Sequence, residues 1–124
     1  MSSTVAHRRR DRRLGVSRAY AAYIEFDYPQ PHGHRWRLTL LDISVAGLSF
    51  ALAEDLDGIE VGSTISNVAV RVEDHEFRGD LVVMRVTPVA ELPTVCGALI
   101  YPATEEELEK LKNAIAWIEA ARTN

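Results

Sequence analysis

Period-2 hydrophobic alternation runs through most of this chain and gives way once, near the end, to a helical period; that single switch most constrains the fold. From Arg18 to Tyr28, the residues Tyr20, Ala22, Ile24 and Phe26 fall on one face, as in a half-buried strand. The stretch "PQPHG", Pro29 to Gly33, is turn chemistry. Trp36, Leu38 and Leu40 then share one face of a second strand, so 18–41 is predicted to be a hairpin. "DISVAG", Asp42 to Gly47, breaks the alternation before a third strand at Leu48 to Leu52, and the acidic "AEDLDGIEVG" reads as a surface connection. Ile65 to Val72, Phe77 to Val86 and Val95 to Tyr101 are rich in β-branched residues and bounded by "EDHE" and "TPVAELP". The total is about six strands, with connections short enough for antiparallel neighbours.

After Tyr101 the period changes. Thr104 with Glu107 predicts a capping box, Glu105 and Glu106 suit the positive end of a helix dipole, and Leu108, Leu111, Ile115 and Ile118 give a seam to about Arg122. A helix is therefore expected over 104–122. A sheet followed by one amphipathic helix implies a small antiparallel barrel or sandwich with the helix lying against it. At 124 residues, 47% of them hydrophobic, the chain has material for one core. The single Cys96 excludes an intramolecular disulfide and a multi-cysteine zinc site, fits a reducing compartment, and sits in an apolar strand as a small core residue. No apolar run of membrane-spanning length occurs, and "MSSTVAHRRR" lacks the apolar stretch of a secretory signal, so a cytoplasmic location is expected.

Charge is distributed unevenly. The chain sums to −4, yet residues 8–18 hold six arginines and one aspartate, a local +5, which leaves −9 for the remainder. An acidic body repels a long polyanion, so the arginines suit a small, discrete anion better than a duplex. Each guanidinium offers a planar fork of donors for phosphate oxygens and a flat face for stacking on rings. Arg8 and Arg12, or Arg9 and Arg13, are four residues apart and would share a side in either a helical turn or an extended segment. Between two strands, Asp42 is an acceptor suited to the N1–H and N2–H₂ edge of guanine, Ser44 brings a rotatable hydroxyl, and Gly47 allows a close approach of backbone. Asp42 or Ser44 could also cap its own turn.

An arginine pair spaced RxxxR followed by DxSxxG (Asp42, Ser44, Gly47), with "FRGDLVVMRV" and "VCGALIY" before a closing helix, resembles the PilZ family of bacterial cyclic di-GMP receptor domains. The resemblance covers nearly the whole chain. It implies a mainly β fold, a six-stranded antiparallel β-barrel with a C-terminal α-helix, over residues 18–124, preceded by a flexible arginine-rich segment at 1–17. It further implies a ligand site of Arg9, Arg13, Asp42, Ser44 and Gly47, with Arg8, Arg12 and Arg18 as further candidates. Arg9 and Arg13 would bind phosphates and stack on guanines, Asp42 and Ser44 would contact guanine and phosphate, and Gly47 would hold the turn. One departure concerns register: "LGVS" separates Arg13 from Arg18, and Arg18 takes the strand-adjacent place of the family's last arginine. Either Arg9 and Arg13 act on a longer linker, or a bulge lets Arg13 and Arg18 act together.

On this reading the ligand is cyclic di-GMP, there is no cofactor or metal, and the protein is not an enzyme. The arginine segment becomes ordered when ligand binds, and the output passes to a protein partner in trans. Competing readings are a ligand-independent interaction module and a nonspecific nucleic-acid binder using the arginine tail. His32 and His34 in "PHGH" have no cysteine or carboxylate beside them to complete a metal site. Ser44, His75 and an aspartate do not lie in the setting of a nucleophile elbow. Trp117 lies roughly 180° from Leu108 around the helix, off the seam. It either packs beside Ala114 and Ala121 against a second surface or anchors a partner.

Overall fold

The computed structural model describes residues 13–16 and 21–123. Seven strands occur in them: β1 (Leu14–Gly15), β2 (Ala22–Tyr28), β3 (His34–Ile43), β4 (Gly47–Leu52), β5 (Thr64–Val72), β6 (His75–Val89) and β7 (Leu92–Pro102). They are followed by a helix, α1 (Glu105–Thr123). Strands pair antiparallel in the order β3-β2-β5-β6-β7-β4, and β4 pairs back onto β3, closing a six-stranded barrel. Periodicity left barrel and sandwich open; the β3–β4 pairing decides between them. The alternation expected of the first two strands holds, and Ile24, Phe26, Leu38 and Leu40 point into one core with Phe50, Ile65, Val70, Phe77, Leu81 and Val83.

Three local departures have physical reasons. The connection that reads as a surface one sends Leu56 and Ile59 into the core, while Asp55 and Asp57 beside the first and Glu60 beside the second stay outside. The turns expected at "EDHE" and "TPVAELP" shrink to two residues, because Val72 already pairs with His75 and Val89 with Leu92. Glu73 and Glu91 take positive φ of 51° and 62° to close them. Pro88 is accommodated at a register shift between Thr87 and Val89, where no ladder hydrogen bond is required of it.

The strand that periodicity could not show is β1. Two residues have no period, but Leu14 pairs with Ile43, Gly15 with Asp42, and the Val16 N–H donates to the Leu41 carbonyl at 2.9 Å. They continue along the β3 edge that β2 leaves after its last pair at Thr39. Leu14 is 4% exposed and belongs to the core. Leu14, which falls inside the segment expected to be flexible, is thus part of the barrel's core.

Helix α1 lies mainly against β6, with further contacts to β7 and β1. Thr104 Oγ1 accepts from the Glu107 N–H at 3.2 Å, which is one half of the expected capping box. The other half is diverted: Glu107 Oε1 accepts from the Arg78 N–H at 2.7 Å, so the residue that would close the box joins the helix to β6. The buried stripe is Leu111, Ala114 and Ile118, with Leu108 and Ile115 on one flank and Trp117 on the other. Trp117 is partly buried, its ring 6.0 Å from that of His75 at the start of β6. The second surface it meets therefore includes the start of β6.

Glu107 also holds Lys110 at 3.0 Å. That hydrogen bond, assisted by the Arg78 N–H, keeps its carboxyl below the ordinary value of 4.5 against the opposing effect of burial. A depressed carboxyl contributes stability above its unfolded-state value, and the contribution is lost as pH falls through the folded-state value. Glu107→Gln should therefore lower the melting temperature slightly at neutral pH, and the gap to wild type should close in acid below 4.5. Thermal melts over a pH series check this; a gap that widens in acid contradicts it.

Candidate functional site

The segment Asp42–Gly47 forms a tight hairpin between β3 and β4. The Ser44 N–H donates to the Gly47 carbonyl at 2.7 Å, and Ser44 Oγ accepts from the Ala46 and Gly47 N–H groups at 3.3 and 3.2 Å. The same hydroxyl lies 3.3 Å from the Gly47 carbonyl, to which it donates. Ser44 is 2% exposed, so its polar capacity goes into the turn. The Ile100 N–H donates to the Ala46 carbonyl at 2.9 Å and ties the turn to β7. Of the two roles open to Ser44 from sequence, the internal one is realised; it sets the geometry of its neighbours.

Among those neighbours is Asp42, placed by a register shift between Leu40 and Asp42. Arg13 Nη1 donates to Asp42 Oδ1 at 2.8 Å, with side chains 38% and 32% exposed respectively. Twenty-nine positions separate them, and β1 brings them together by pairing Gly15 opposite Asp42. Gly47 is needed for close approach: a Cβ there would lie 2.6 Å from the Ala98 carbonyl oxygen and 3.2 Å from Arg13 Nη2. A side chain at 47 would clash with the β7 backbone, and the Arg13 guanidinium would have to give by a few tenths of an ångström. An ion pair this exposed contributes about 0–1 kcal/mol, so an anion can exchange for the carboxylate at small cost.

Arg13 also lines a depression of about 260 Å³ with Met84, Arg85, Gly97, Ala98 and Leu99. A larger one, about 420 Å³, is lined by Asp27, Gln30, Pro31, Ser66 and Asn67; its charged group is an aspartate, which suits an anion poorly. The depression beside Arg13 is the one that combines with Asp42 and Gly47. Met84 and Arg85 were not singled out from sequence, though a signal existed. Phe77, Gly79, Leu81 and Val83 occupy the inward phase of β6, and strict alternation would put Arg85 next in that series. An arginine in an inward phase announces a slip, and the slip is a bulge between Val83 and Arg85 that turns both Met84 and Arg85 outward. Arg8, Arg9, Arg12 and Arg18 lie outside the described residues. No cluster of three or more His, Cys, Asp or Glu side chains able to hold a metal occurs among the described residues, and no helix among them is long and apolar enough to cross a membrane.

A closed six-stranded antiparallel barrel, an extra strand and a C-terminal helix make up the PilZ-domain fold. Solved structures with this fold include K. pneumonia MrkH in complex with c-di-GMP (TM-score 0.79, 18% identity, covering 94% of this chain and 56% of that one). The PilZ domain of Escherichia coli YcgR with c-di-GMP superposes with a TM-score of 0.71 at 15% identity, covering 93% of this chain and 94% of that one. Bacillus subtilis inhibitor of motility, MotI/DgrA, matches at 0.59 and 18% identity over 81% of this chain and 50% of that one. The chain spans little more than half of MrkH but nearly all of the isolated YcgR domain. No protein-family model and no curated protein sequence matches it.

Proposed function

We propose that this chain is a non-enzymatic, cytoplasmic receptor for cyclic di-GMP whose site is built on Arg13, Asp42 and Gly47. The observation that carries the reading is the Arg13–Asp42 pair over Gly47, which joins the arginine run to the DxSxxG turn on one outer face of the barrel. The structures of MrkH and the YcgR domain with c-di-GMP support it by analogy of fold. Ligand phosphates compete with Asp42 for Arg13, and the released carboxylate accepts from the N1–H and N2–H₂ edge of a guanine. Ser44 acts from beneath by holding the turn, while the arginines at 8, 9 and 12 or 18 add phosphate and stacking contacts. Binding fixes the arginine run over the barrel, and that surface is read by a protein partner in trans.

Calorimetry with cyclic di-GMP, GTP and single-stranded RNA tests this directly. The receptor reading expects cyclic di-GMP to bind well above the other two. Binding of RNA alone would identify a nonspecific arginine tail, and binding of none of them an interaction module without ligand. Asp42→Ala should weaken cyclic di-GMP by about 1.5–3 kcal/mol, the range for hydrogen bonds to charged groups. Its melting temperature should move little, because Ser44 rather than Asp42 holds the turn. A stability loss as large as the affinity loss would leave the guanine-reading role unsupported.

A further inference from the structure

We infer that Arg85 and Ser49 complete the subsite that Arg13 begins, so that a phosphate of the ligand is clamped between guanidiniums from two distant strands with the Ser49 hydroxyl between them. The inference rests on the receptor reading and names a part of that site which the motif residues do not include.

One row of cross-strand partners carries it. Asp42 pairs with Ser49, Ser49 with Gly97, and Gly97 with Arg85, crossing β3, β4, β7 and β6 in turn. Directly paired residues point to the same face, and Ser49 lies between Leu48 and Phe50, both fully buried in the core, so the row faces outward. A Cβ at Gly97 would lie 3.5 Å from Arg85 Nη2 and 3.6 Å from its Nε, so this guanidinium rests on bare backbone as that of Arg13 does near Gly47. Ser49 is two residues beyond Gly47 on the same face and directly across from Gly97. It is 2% exposed, and its Oγ is buried without a hydrogen-bond partner among the described residues.

An orphaned buried hydroxyl is costly and calls for an explanation. The Arg85 side chain likewise makes no hydrogen bond or ion pair with any described residue, although it is presented by a bulge whose effect is to place it here. The groups in the row that lack partners are donors, and the carboxylate there, Asp42, is already engaged by Arg13. Two cationic forks and a hydroxyl with one engaged acceptor suit an acceptor-rich anion, and a phosphodiester satisfies all three at once. Met84, 54% exposed beside Arg85, offers an apolar edge for the ring that such a phosphate carries.

The test titrates wild type, Arg85→Ala, Arg85→Lys and Ser49→Ala with cyclic di-GMP and records a melt of each protein without ligand. Arg85→Ala should lose roughly 10-fold or more in affinity at unchanged melting temperature, since Arg85 is exposed and bonds no described residue. Arg85→Lys, which keeps the charge but not the fork, should fall between the two. Ser49→Ala should bind several-fold more weakly yet melt at the same or a higher temperature, because it removes an unsatisfied buried hydroxyl, a pairing of effects that a purely structural serine would not give. Arg85→Ala within twofold of wild type, or Arg85→Lys equal to wild type, overturns the clamp while leaving the receptor reading intact. Absence of binding by wild type overturns both.

Discussion

Arg13→Ala is expected to reduce cyclic di-GMP affinity by more than about 100-fold, the largest loss of any single substitution on this surface. Arg13 is common to both arginine registers that the sequence allows, and it is the described arginine that contacts the DxSxxG segment. On the proposed reading its removal would take away charge-assisted hydrogen bonds to phosphate and leave the Asp42 carboxylate facing the incoming anion. Stability should change by under about 1 kcal/mol, because the pair is exposed. Parallel titrations of Arg9→Ala and Arg18→Ala then choose the register: a large loss at Arg9 selects the four-residue spacing, and a large loss at Arg18 selects the bulged alternative. Arg13→Ala binding within threefold of wild type would remove the basis for the site.

The second large effect is on folding. Leu14→Ala should cost about 2–5 kcal/mol in denaturant unfolding, the range for truncating a buried leucine. Leu14 is 4% exposed in a core cluster with Ile43, its partner across the β1–β3 pair. Deleting residues 1–17 should cost at least as much, since it also removes the Val16–Leu41 hydrogen bond and the contact of β1 with α1. Loss of ligand binding in that truncated protein would therefore not by itself locate the site, whereas Arg13→Ala separates contact from scaffold. A Leu14→Ala protein as stable as wild type would mean that β1 is not held against the barrel in solution.

The two predictions meet at β1, where the sequence was least informative. Six strands and the helix were legible because long segments repeat their chemistry: every second residue in a strand, every third or fourth in the helix. A two-residue strand has no repeat, and its only mark is one leucine after an arginine run. Its place on β3 exists because β2 stops pairing at Thr39 and leaves the backbone of Leu41 to Ile43 with an open edge. The redirected Glu107 is similar: "TEEE" specifies a cap locally, and the approach of β6 decides where the carboxylate goes.

What the sequence by itself determined is the wall of the barrel, the helix that closes the chain, the Asp42–Gly47 turn and the charge contrast between arginine run and acidic body, all of which are properties of neighbours in the chain. Tertiary structure decided the rest. Closure of β4 onto β3 fixed the shape, β1 carried Arg13 across twenty-nine positions to Asp42, and the bulge after Val83 turned Arg85 out beside them. The physical reason is that periodicity encodes which face a residue takes within its own strand, while strand order and register, which bring Arg13, Asp42, Ser49, Gly97 and Arg85 together, depend on pairings between segments far apart in the chain.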